Sequence, residues 1–129
     1  MTNKYREFNL STGTKIFLGK DAESNDELMK EFKGKENTIL HTVEPGSPFC
    51  VIDKIDASEK EIKESAIICA SKSQDWRDNK SNVKIHQFSG KEIKKPFFAK
   101  AGTWKVSGKL KVIVASKKDI ENFLRRYKN

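Results

Sequence analysis

The 129 residues are enough for one ordinary domain, and an apolar fraction of 36% is enough to bury a core without disulfides. The net charge of +8 is unevenly placed: residues 1–71 hold 10 basic and 13 acidic side chains, whereas residues 72–129 hold 16 and 5. No stretch approaches the roughly 20 apolar residues of a membrane helix, and MTNKYREFNL lacks a signal-peptide core, so a cytoplasmic protein with no membrane partner is expected.

Taken in chain order, the pattern begins with alternation over Tyr5–Leu10, a turn at Ser11-Thr12-Gly13 and a second strand at Lys15–Leu18, which together predict a hairpin. Ser24 followed three residues later by Glu27 has capping-box spacing and opens a helix that carries Leu28, Met29 and Phe32 and stops at Gly34. Strands at Asn37–Thr42 and Phe49–Asp53 flank Val43-Glu44-Pro45-Gly46-Ser47-Pro48, a tight connection that makes a second hairpin. Ser58 and Glu61 repeat the capping-box spacing and begin the central helix, which runs through Ile62, Ala66, Ile67 and Ala70 to about Gln74. Asp75–Lys80 reads as a turn, Val83, Ile85 and Gln87 as a strand, and 88–102 as a long loop. The remaining signals are a strand at Thr103–Val106, a Ser107-Gly108 turn, a strand at Leu110–Ala115 and a short helix opened by Ser116. The fold class is therefore α+β: a single domain, residues 1–129, whose mostly antiparallel sheet of about six or seven strands is packed by a central helix and two shorter ones.

Catalysis needs converging groups, and few are legible. His41 and His86 lie in or beside strands, no serine sits in a Gly-x-Ser-x-Gly elbow, and no Gly-Lys-Ser/Thr phosphate loop is present. Asp21, Glu23, Asp26 and Glu27 cluster where the positive end of a helix favours acids. Cys50 and Cys69 sit in apolar runs and read as buried thiols, not as metal ligands. No catalytic residue, metal or cofactor is expected. The clearest constellation is 91–105, with Lys91, Lys94, Lys95, Lys100 and Lys105 interleaved with Phe97, Phe98 and Trp104. Lysines neutralise phosphates whatever the sequence, and exposed rings stack on unpaired bases. Each ring has a simpler alternative as core beneath the loop. A segregated basic excess marks a polyanion partner more often than it serves solubility alone.

The ordered segments Gly19-Lys20-Asp21-Ala22-Glu23-Ser24-Asn25-Asp26-Glu27-Leu28, Leu40-His41-Thr42, Pro45-Gly46-Ser47, Lys94-Lys95-Pro96 and Lys100-Ala101-Gly102-Thr103 resemble the NFACT-R RNA-binding domain across roughly residues 5–115. Two positions depart from that pattern: Ile39-Leu40 stands where Trp-Phe is usual before His41, and Pro48 where histidine usually follows Pro-Gly-Ser. The resemblance implies an α+β fold and binding to RNA, ribosomal or transfer RNA above all. It also implies the large ribosomal subunit as a partner and a link to ribosome-associated quality control. The residues expected to contact RNA are Lys20, Arg77, Lys91, Lys94, Lys95, Lys100, Lys105, Trp76, Trp104 and His41, with Asn25 and Asp26 as scaffold. Two other functions compete: an RNA-processing enzyme centred on His41 with Asp75 or Asp78, and a basic adaptor or DNA-binding module.

Overall fold

A computed structural model describes residues 4–95, 100, 103–108 and 110–127. Strands β1 (Arg6–Asn9) and β2 (Lys15–Leu18) form the first hairpin, followed by helix α1 (Ala22–Phe32). Next come β3 (Thr38–Thr42), β4 (Cys50–Ile52), α2 (Glu59–Ser71), α3 (Gln74–Asn79) and β5 (Val83–Ser89). A 3-10 turn at Gly90–Glu92 leads to β6 (Ile93–Lys94), β7 (Lys105–Val106), β8 (Lys111–Ala115) and α4 (Lys117–Arg126). Six strands make one antiparallel sheet in the order β1-β2-β4-β3-β5-β8, and β6 pairs with β7 in a separate ribbon.

Both faces of the sheet are covered, so its central strands are apolar on successive residues. Leu40 faces the α2–α4 side in a cluster with Ile16, Cys50, Ile68, Ile85 and Ile120. Its neighbour Ile39 packs on the other side with Leu28, Met29 and Phe32 of α1 and with Phe49, Val51, Phe88 and Ile93. Cys50 and Cys69 are buried free thiols, and burial pushes the thiol of Cys69 up to about 12.

The α+β class and antiparallel sheet agree with the expectation, while several strands are a residue or two shorter at their ends and the caps, helices and pairings differ as follows. The N-cap of α1 is Asp21, whose carboxylate accepts from Ser24 N at 2.8 Å while Ser24 Oγ accepts from Asp21 N at 3.0 Å. Ser24 is thus the third residue of the box, not its cap. The central helix ends at Ser71, and the expected turn after it is helix α3, capped by Ser73 and anchored by Trp76. Strand β5 continues through Phe88 and Ser89, so the expected loop begins later and contains β6. Finally, β7 pairs with β6 while β8 pairs with β5, placing the strands on either side of the Ser107-Gly108 turn in different sheets. Phe97 and Phe98 lie outside the described residues.

Candidate nucleic-acid interface

The site is built around the first turn of α1. Gly19 leaves β2 so close to this turn that a Cβ there would stand 1.8 Å from Asn25 Oδ1. That oxygen accepts from Phe49 N at 3.0 Å, and Gly19 N donates to Phe49 O at 3.2 Å, which ties the β2–α1 corner to the chain entering β4. Asp26, one residue on, holds a different segment. Its Oδ1 accepts from Trp104 Nε1 at 2.9 Å and from Lys95 Nζ at 2.6 Å, fastening the basic segment to α1.

The Pro45-Gly46-Ser47-Pro48 turn is fixed just as locally. Ser47 Oγ accepts from Thr42 N at 3.1 Å, and Gly46 O accepts from Gln74 N at 2.8 Å at the start of α3. Gly46 has φ +92, and a Cβ would lie 2.8 Å from that of Gln74, so both conformation and space call for glycine.

Between these elements lies an open cleft of about 810 Å³. Its cations are Arg6, Lys20, Lys72 and Arg77, and its rings include His41, His86, Phe49 and Trp104. His41 and His86 are cross-strand partners on β3 and β5. His41 rests on Phe49 with ring centroids 4.5 Å apart, and its Nδ1–H donates to Thr42 O at 2.8 Å. Since a carbonyl can only accept, Nδ1 carries the proton and Nε2 keeps its lone pair. Burial, with the neighbouring His86, holds His41 below the usual imidazole value despite its backbone hydrogen bonds, so the ring is neutral at pH 7.

Of the residues expected to bind, Lys20, Arg77, His41 and Trp104 line this cleft together. Trp104 is half-buried, with Lys95 Nζ 5.2 Å from its ring centre. Lys94 and Lys105 are exposed partners in the β6–β7 ladder, and Lys100 is exposed as well. Lys91 stands 4.0 Å from Glu36, and Lys95 is held by Asp26 and by the carbonyl of Lys100 at 2.8 Å. Trp76 is a correction: at 4% exposure it is a core residue of the α2 side, and its ring offers no face to a base. Sequence reasoning missed Arg6, Lys72 and His86 as cleft residues. Arg6 belongs to the less basic half, and no local pattern says that an edge strand and the end of α2 meet. Among the described residues no three metal-ligating side chains converge, and no helix is long and apolar enough to cross a membrane.

The fold and cleft together define a small α+β domain that presents clustered cations and rings on one side. The family model of the NFACT protein RNA binding domain matches residues 4–110, and the chain belongs to that family. No curated protein matches the sequence. Among solved structures, the chain is similar to the C-terminal part of the fibronectin/fibrinogen-binding protein from Streptococcus suis, with a TM-score of 0.80 and 23% identity. The likeness, one of fold, covers 95% of this chain but 49% of that one, so the chain spans about half its length.

Proposed function

We propose that this domain holds structured RNA, ribosomal or transfer RNA in particular, by its backbone phosphates, with the cleft and the β6–β7 ribbon as the contact surface. In this reading it works in the cytoplasm beside the large ribosomal subunit, in ribosome-associated quality control, and catalyses no reaction. The observation that carries the reading is the convergence of Arg6, Lys20, Lys72 and Arg77 on one open cleft with His41 and Trp104, in a member of an RNA-binding family. Phosphate contacts position a nucleic acid without reading its bases, and arginine and lysine are the side chains suited to them. Lys94 and Lys105 add a like-charged pair side by side on β6 and β7, an arrangement that costs stability until an anion lies across it. The enzyme alternative gains little from the geometry. Asp75 accepts from Asn79 and Asp78 from Gln74, both on exposed parts of α3, and neither lines the cleft that holds His41.

The test replaces Lys20 and Arg77, and separately Lys94 and Lys105, by glutamine, and titrates each protein with labelled transfer RNA and with duplex DNA of equal charge. Both pairs should weaken RNA binding, with melting temperatures within about 2 °C of wild type, since exposed charges add little to stability. Unchanged RNA affinity in both would remove the cleft and ribbon from the interface. Equal affinity of the wild type for DNA would shift the reading to a general nucleic-acid binder.

A further inference from the structure

We propose that Arg6 and Lys72 form a seat for one phosphate group of the bound nucleic acid, on the β1 side of the cleft. The proposal deepens the RNA-binding reading and rests on it. Arg6 and Phe8 are two residues apart on β1 and so share a face of that strand. Lys72, the C-cap of α2, lies with its Nζ 5.7 Å from the centre of the Phe8 ring, which brings it beside Arg6, and both line the cleft. Arg77 approaches the same residue from α3, its Nη1 donating to Lys72 O at 3.2 Å.

Three cations thus gather where β1, α2 and α3 meet, and among the described residues none of the three is in a salt bridge with a carboxylate. A folded chain ordinarily interleaves acids among such charges, as it does at Lys54 with Glu61 and Lys95 with Asp26. Here burial and the field of Arg6 both disfavour the charged form of Lys72, so the isolated domain carries a cost that an incoming anion removes. A phosphate fits both partners: the guanidinium fork matches its two non-bridging oxygens, and the ammonium, a compact point charge, shares one of them. An internal phosphodiester and a terminal phosphate share this chemistry.

The experiment uses Arg6→Gln and Lys72→Gln, a labelled single-stranded RNA with and without a 5′-phosphate, a series of salt concentrations, and melting temperatures. Each substitution should weaken binding roughly five- to tenfold and flatten the log–log salt slope by about 0.7, one phosphate's worth on a single strand. The melting temperature should stay level or rise, because a like-charge contact is relieved. Losses shared by both oligonucleotides identify an internal phosphodiester; a loss confined to the 5′-phosphorylated one identifies a terminal phosphate. Wild-type affinity and slope in both variants would overturn the seat, as would weakened binding accompanied by a clear drop in melting temperature, which marks a structural role. If the wild type binds neither these oligonucleotides nor transfer RNA, the RNA reading itself falls. In that case a rise in melting temperature with inorganic phosphate that both variants lose keeps the seat, and no rise overturns it.

Discussion

Glu61 shows how much one side chain can do in this fold. It is 1% exposed, and its carboxylate accepts from Ser58 N at 2.9 Å, Thr14 Oγ1 at 2.5 Å, Thr12 Oγ1 at 2.7 Å and Lys54 Nζ at 3.2 Å. One residue closes the capping box of α2 and pins the β1–β2 turn to it. These hydrogen bonds, the one from Ser58 first and then those from the threonines, hold the carboxyl far below the usual range. A carboxylate with a depressed folded pKa contributes stability in full above its unfolded value of about 4.3, and loses it as pH falls through the folded value. Glu61→Gln should therefore melt below wild type at pH 7, and the gap should narrow steadily as the pH is lowered from about 4. Thermal melts of both proteins across that series check it, and a constant gap would show that the charge of Glu61 is irrelevant. The capping role of Glu61 was legible from Ser58 and the spacing of three; its grip on Thr12 and Thr14 was not, because nothing local announces a contact 49 residues away. The same holds for Asn25 and Asp26. Their place in a helix's first turn was readable, but that one binds Phe49 and the other Trp104 depends on the assembled fold.

Elements with enough residues to show a period were legible, and short ones were not. Helix α2, with its caps and its small and apolar residues, was expected nearly as it stands. Helix α3 has six residues and one apolar anchor, so Asp75–Lys80 looked like a polar turn until Trp76 is seen packed against α2. The two-residue strands β6 and β7 carry no alternation at all. Within α2 the inner face is now defined. Ile68 is 5% exposed in the core, whereas Ile67 packs only partly against it. Ile68→Ala should cost about 2–5 kcal/mol and Ile67→Ala distinctly less. Urea unfolding of the two variants decides the order, and a larger loss at Ile67 would mean that the helix is rotated from the position described. The lysines of 91–105 also divide by element. Lys95 is tied to Asp26, so replacing it disturbs α1 as well as any RNA contact, whereas Lys94 and Lys105 stand free of that anchor.

Across the whole molecule, charge segregation along the sequence pointed to a polyanion but misplaced part of the surface that meets it. The chain's second half supplies Lys72, Arg77, Lys94 and Lys105, yet the cleft is completed by Arg6 and Lys20 from the first half, brought in by the β1–β2 hairpin and the corner at Gly19. A sequence shows how much charge there is; only the order of strands shows which charges share a space. The central claim is that these gathered cations bind RNA by its phosphates, and the dependence of affinity on salt measures it most directly. If about five of them each neutralise a phosphate, log Kd plotted against log salt should change by roughly 3.5 per decade on a single strand and about 4.5 on a duplex, affinity falling as salt rises. RNAs of unrelated sequence but equal length and folding should then bind within about tenfold of one another. An affinity that does not change with salt would contradict the account.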